Sequence, residues 1–205
     1  MNLGFNVEDW KNAEAKEMGG FEVLELGGHV VIIKDARIYE SEFSGNQSLK
    51  VCVDIAGDDK QKDYFKKQYD SDNTADKKWP AGATRYLSLK KESLGYTKGF
   101  VTALENSNKN FTFDLNKGWE QLNGLKCAGV FGLEEYQNNE GETKTVTKLT
   151  GFRSLDKLDT IQIPRVKLLD GSYVPYEEYQ ANKKANNNAN NSSSGIEITD
   201  ELLPF

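Results

Sequence analysis

The chain has 205 residues, with 26 lysines and arginines against 32 aspartates and glutamates, a net charge of −6, one histidine and two cysteines. That length suits one domain with a substantial core plus a tail, and no run approaches the ~18 consecutive apolar residues that a spanning helix needs. The opening MNLGFNVEDWKNA lacks the basic and apolar regions of an export signal, so the protein is expected in the cytoplasm, away from membranes, with its cysteines reduced.

Residues 1–20 are polar and acidic and read as an N-terminal arm closed by Gly19-Gly20. The body, 21–180, opens with a strand over Gly28–Tyr39, rich in β-branched residues, and a turn at Ser44-Gly45-Asn46. Leu49, Val51, Val53 and Ile55 alternate with Lys50, Cys52 and Asp54, the period-2 pattern of a strand with one face in the core. The stretch from Asp63 to Tyr69 is aromatic and basic at once. Alternation there predicts Phe65, Lys67 and Tyr69 on one strand face and Tyr64, Lys66 and Gln68 on the other. A polar loop runs from Asp70 to Lys78, closed by Trp79-Pro80. Arg85–Lys90 reads as a third strand or as the start of a helix, and helical spacing is clear from Leu94 to Glu105. Leu125–Tyr136 and Thr143–Ser154 are two further strands joined by the polar Gln137–Glu142 loop, with Gly129 and Gly132 as bend points. Three strands, a helix and two strands predict a mainly β fold. The specific expectation is an OB-fold, a five-stranded barrel with one helix between strands 3 and 4.

From Ala181 to Gly195 the chain reads ANKKANNNANNSSSG, with nothing larger than Ala to bury, and is expected to be a disordered linker. It carries an acidic, apolar tip, 196–205, whose Asp200, Glu201, Leu202, Leu203, Pro204 and Phe205 suit a partner groove with a basic rim and an apolar pocket.

Charge is unevenly distributed. Residues 1–59 have a net of −7, whereas 60–109 have +5 and 141–168 have +3. Folding can gather the latter two into one basic face on an acidic molecule. Catalysis is poorly supported: the lone His29 sits beside a strand, and no nucleophile elbow, phosphate loop or dinucleotide fingerprint is present. No cofactor is expected. Asp54, Asp58 and Asp59 are the one acidic group worth weighing as a two-metal nuclease site, although a Gly-Asp-Asp turn is a poor rigid scaffold.

Single strands of nucleic acid are held by positive charge that tracks phosphates and by aromatic faces on which bases stack. The chain interleaves the two three times. The candidates are Phe65, Lys67 and Tyr69; Lys77, Lys78, Trp79, Arg85 and Tyr86; and Lys148, Phe152 and Arg153. Trp79, flanked by Lys77, Lys78 and Pro80, is the ring most expected on the surface.

The Pro-Phe end of the tip resembles that of bacterial and phage single-stranded-DNA-binding proteins, with two acids and Leu-Leu where that family carries a longer acidic run. The body is similar to a family of small proteins from the replication modules of phages and integrative elements of Gram-positive bacteria, through GGHVVIIKDARIYES, LKVCVDIAG, Tyr64-Phe65, KGFVTALENSN, LNGLKCAGVFGLEEYQNNEGE and FRSLDKL. The resemblance spans about Gly27 to Lys167. It implies single-stranded DNA binding in replication and recombination, recruitment of enzymes of those processes through the tip, and Trp79, Arg85 and Tyr86 as strand contacts. Whether barrels assemble into homo-oligomers is left open. The alternative is a replisome or phage adaptor that does not bind DNA.

Overall fold

The computed structural model describes residues 6, 8, 11 and 22–192, the last seven as backbone only. Strand β1, Gly27–Glu40, pairs antiparallel with β2, Gln47–Ile55. The turn between them closes through Ser41 N to Asn46 O at 3.0 Å. The ladder slips one residue between Ile33 and Asp35, so Lys34 stands in a β-bulge. The slip changes which parity faces the core: Val31 and Ile33 are buried before it, Ala36 after it.

The aromatic, basic stretch after β2 is not a strand. Helix α1, Tyr64–Ser71, occupies it, which corrects the alternation expected there. Its sequence satisfies both periods, since Phe65 and Tyr69 are four apart as well as two steps along a strand. The start of the helix decides between them. Asp63 takes a left-handed conformation at φ 58° and its side chain makes no cap bond. The buried Asp54 carboxylate on β2 substitutes, its Oδ1 accepting from the backbone N–H of Phe65 at 3.1 Å and Lys66 at 3.3 Å.

A 3₁₀ turn at Ala81–Ala83 leads into β3, Thr84–Ser88, which pairs with β2 and settles the choice left open for this segment in favour of a strand. Helix α2 spans Leu94–Ser107 and buries Phe100, Val101 and Leu104. Strand β4, Lys126–Gln137, and strand β5, Thr143–Arg153, form the second hairpin. A second slip, opposite Val130 and Phe131, leaves Thr150 unpaired, and its hydroxyl donates to the Val130 carbonyl at 2.9 Å. Gly129 serves close packing: a Cβ there would lie 2.7 Å from Val31 Cγ1.

The order is β3-β2-β1-β4-β6-β7, with β5 also on β4, where β6 is Val166–Lys167 and β7 is Tyr173–Val174. Five pairings are antiparallel and the sixth, the short β4–β6 contact, is parallel, giving a mixed seven-stranded sheet. The closed five-stranded barrel expected from the element order is not formed, because no ladder joins β3 to β5 among the described residues. The start of β3 nevertheless comes close to the middle of β5. A Cβ on Gly82, just before β3, would meet the Thr147 carbonyl of β5 at 2.6 Å, so only glycine fits without a shift.

The sheet curves around one core containing Val31, Ile33, Leu49, Val51, Val53, Phe65, Phe100, Leu104, Phe131 and Leu149. Full burial of each such side chain stabilises the fold by roughly 1.5–3 kcal/mol. Both cysteines are buried; burial pushes the Cys127 thiol up to about 12. Helix α3, Tyr176–Ser192, runs through most of the stretch expected to be a disordered linker. It follows Pro175, has Glu177 and Glu178 in its first turn, and contains neither Gly nor Pro. Tyr179 docks it to β4 through a 3.0 Å hydrogen bond to Glu135. Residues 193–195 of the linker and the whole tip, 196–205, lie outside the described residues, as does most of the arm. No helix among the described residues is long and apolar enough to cross a membrane.

Candidate nucleic-acid interface

The register across β1, β2 and β3 stacks residues into rows. Asp35, Cys52 and Thr84 face one another, as do Arg37, Lys50 and Tyr86. Asp35, Arg37, Lys50, Thr84 and Tyr86 have the parity opposite to the buried Ala36, Leu49, Val51 and Leu87, so the rows lie on the face turned away from the core, with Cys52 the one covered member. That face forms one wall of a groove of ≈ 900 Å³, which continues past the β3–β5 approach to Lys148 on β5, Glu134 on β4 and Lys167 on β6. Tyr69 at the end of α1 and Lys77, Lys78 and Trp79 of the following loop form its other side.

Eight cationic side chains line this groove: Lys34, Arg37, Lys50, Lys77, Lys78, Arg85, Lys148 and Lys167. Asp35 and Glu134 are the carboxylates. Arg37 pairs with Asp35 at 3.2 Å, while Glu134 holds Lys148 at 3.0 Å and Lys167 at 2.8 Å. The hydrogen bond from Lys167, with Lys148 second, keeps the Glu134 carboxyl below the usual range, and the same bond raises Lys167. Lys34, Lys50, Lys78 and Arg85 have no carboxylate within 4 Å among the described residues. A groove with this excess of cations on a molecule of net charge −6 is a local positive field, attractive to a polyanion.

Three rings border it. Tyr86 is 47% exposed and meets Tyr39 edge-on, with centroids 5.1 Å apart. Trp79 lies 5.5 Å from Tyr69, whose ring carries Lys77 Nζ at 4.6 Å from its centroid. Trp79 is in a loop, as expected, but half-buried. Its Nε1–H donates to the Val53 carbonyl at 2.8 Å, just beyond the end of the β2–β3 ladder, and its ring packs against the core. The indole is therefore fixed in place, a rigid edge more than a free platform.

Of the side chains expected to contact a strand, Tyr69, Lys77, Lys78, Trp79, Arg85, Tyr86 and Lys148 converge in this groove. Four do not. Phe65, 3% exposed, stacks on Phe131 with centroids 5.7 Å apart, and Phe152 packs on Phe100 at 4.3 Å; both rings are core. The helical turn at α1 points Lys67 elsewhere, to Glu22 at 3.8 Å. Arg153 lines a different groove, with Nη1 donating to the Phe152 carbonyl at 2.8 Å. Asp200–Phe205 lie outside the described residues.

Sequence reasoning missed Lys34, Arg37, Lys50 and Lys167. Lys50 carries a readable signal, since it alternates with buried Leu49 and Val51. Lys34 and Arg37 owe their direction to the bulge, which the residue pattern disguises. The acidic trio separates into structural roles: Asp54 caps α1, Asp58 pairs with Lys126 at 3.0 Å, and Asp59 accepts from Val30 N–H at 2.9 Å and faces His29 Nδ1 at 3.2 Å. His29 is buried, its Nε2 reaching the Glu25 carbonyl at 3.0 Å. Among the described residues no group of three or more His, Cys, Asp and Glu is arranged to hold a metal ion. No protein-family model matches the chain, and no curated protein is significantly similar to it.

Proposed function

We propose that the protein is a non-catalytic, sequence-independent single-stranded-DNA-binding protein of phage or mobile-element replication and recombination, built on an OB-type body. In support of the OB reading, strands in the order 3-2-1-4-5 carry a helix between the third and fourth, and the start of β3 approaches β5, the pair a closed barrel would join. The observation that carries the functional reading is the cation-rich groove across β1, β2, β3 and β5, bordered by Tyr69, Trp79 and Tyr86. Its lysines and arginines pair with phosphates whatever the sequence, and Tyr86 offers a face on which one base stacks for ~1–3 kcal/mol. Sequence independence follows, because neither contact reads base edges. The acidic tip, Asp200–Phe205, recruits replication or recombination enzymes to the coated strand.

The net charge of −6 favours a second reading, an adaptor that joins proteins without touching DNA. Fluorescence polarisation of a labelled oligothymidine at low salt separates the two. On the first reading the full chain binds, and removal of residues 198–205 leaves affinity unchanged or raises it, because the acidic tip competes for the cationic groove. On the second, neither form binds.

A further inference from the structure

A second groove, of ≈ 930 Å³, lies between α2 and the segment from Ser154 to Arg165. Arg85 lines both grooves, so the two adjoin at that side chain. The second is cationic throughout: Arg85, Arg153, Lys157 and Arg165 line it, and no aspartate or glutamate does. None of the four has a carboxylate within 4 Å among the described residues, in contrast to the first groove, where Arg37, Lys148 and Lys167 are neutralised. The α2 wall is open at Gly95 and Gly99, where a Cβ would meet nothing within 4 Å, and Tyr96, 79% exposed, stands at its edge.

We infer that a strand seated in the first groove passes Arg85 and continues into the second, so that Arg153, Lys157 and Arg165 form the far half of one longer phosphate-tracking site. This rests on the reading of the first groove as a single-strand site and extends it. Four cations without counter-charge in an open channel suit a polyanion, and continuity at Arg85 makes the occupant the same strand. Arg153 and Arg165 are oriented by their own bonds to the Phe152 and Tyr173 carbonyls, at 2.8 and 2.7 Å, which leaves guanidinium donors over for phosphate.

The test compares labelled oligothymidines of about 6 and about 20 nucleotides, lengths that bracket the reach of one such fold. The full chain is compared with R153Q/K157Q/R165Q and with Lys157→Glu alone, whose side chain makes no hydrogen bond among the described residues. The triple variant is expected to bind the long oligonucleotide at least about tenfold more weakly, with a log–log salt slope shallower by up to about 2. The short one, satisfied by the first groove, should bind within about twofold of the full chain. Lys157→Glu should show the same asymmetry at smaller size. Equal affinity of parent and variants for the long strand overturns the inference, and so does a parallel loss on both lengths. If the parent chain binds neither length, the single-strand reading itself fails and this extension falls with it.

Discussion

Glu134 offers the least ambiguous handle on the groove, because it is a carboxylate in the path of the proposed strand. It holds Lys148 at 3.0 Å and Lys167 at 2.8 Å, and so withholds both from any phosphate. Protonation does not release them near neutrality: the two lysines keep this carboxyl below its ordinary 4.5, so the ion pairs persist above that value and are lost only as pH falls through the depressed one. Glu134→Gln removes the charge at any pH. The fold should lose little, about 1 kcal/mol, because both lysines are more than a third exposed and solvent screens the pairs. Binding should gain. Two liberated lysines add up to two phosphate contacts, each worth about 0.7 in the salt slope for single strands, so the slope steepens by about 1.4. At about 0.1 M salt that corresponds to a five- to twentyfold tighter complex. Fluorescence polarisation over a salt series reads both quantities, with urea denaturation confirming that the variant is folded. Unchanged affinity and slope in a folded Glu134→Gln protein would refute the idea that Lys148 and Lys167 face a phosphate backbone.

Trp79→Phe keeps a ring and deletes the hydrogen bond to the Val53 carbonyl, so it should cost about 1 kcal/mol of stability in urea denaturation. Trp79→Ala should cost about 2–4 kcal/mol of stability and a further ~1–3 kcal/mol of oligothymidine affinity; an alanine variant with parental affinity removes Trp79 from the contact set. Asp54 is buried, and that desolvation raises its pKa above 3.8 despite the bonds from Ile55, Lys66 and Phe65. Its contribution is therefore fully present below the unfolded value and lost as pH rises through the folded one. Relative to Asp54→Asn, the parent chain should become less stable over that window, measured by thermal melts across pH; a pH-independent difference contradicts the assignment. Gly82→Ala places a Cβ 2.6 Å from the Thr147 carbonyl and should destabilise the fold by about 1–3 kcal/mol, with the β3–β5 approach showing faster amide exchange.

Elements with a single strong period were readable before any coordinates. β2 alternates, β1 and β4 are dense in β-branched and apolar residues, α2 repeats at helical spacing, and the polar Gln137–Glu142 stretch is the turn between β4 and β5. Tyr64–Tyr69 misled because six residues satisfy two periods, and the arbiter, Asp54, lies on a different element. Bulges at Lys34 and Thr150 each shift parity by one, so alternation read through them assigns later residues to the wrong face. Beyond the bulges, Phe152 falls in the core and Arg37 outside it. Most of the groove's aromatic and cationic residues around Trp79 were recognisable as a cluster in sequence. Their meeting with Lys34, Arg37 and Lys50, inside a segment of net −7, depends on sheet register and is not encoded in local charge. The Asn-rich stretch before the tip has low helix propensity residue by residue, yet it continues a helix started by Pro175 and the two glutamates and docked by Tyr179.

The proposed function stands or falls with a polynucleotide lying in the groove across β1, β2, β3 and β5. Photocrosslinking of a bromodeoxyuridine-substituted single strand to the full chain, followed by peptide mapping, tests it directly. Adducts are expected at Tyr69, Trp79 or Tyr86, suppressed by unlabelled oligothymidine. Specific adducts confined to residues outside the groove, such as Glu22 and Lys67, or no competable adducts at all, would contradict it.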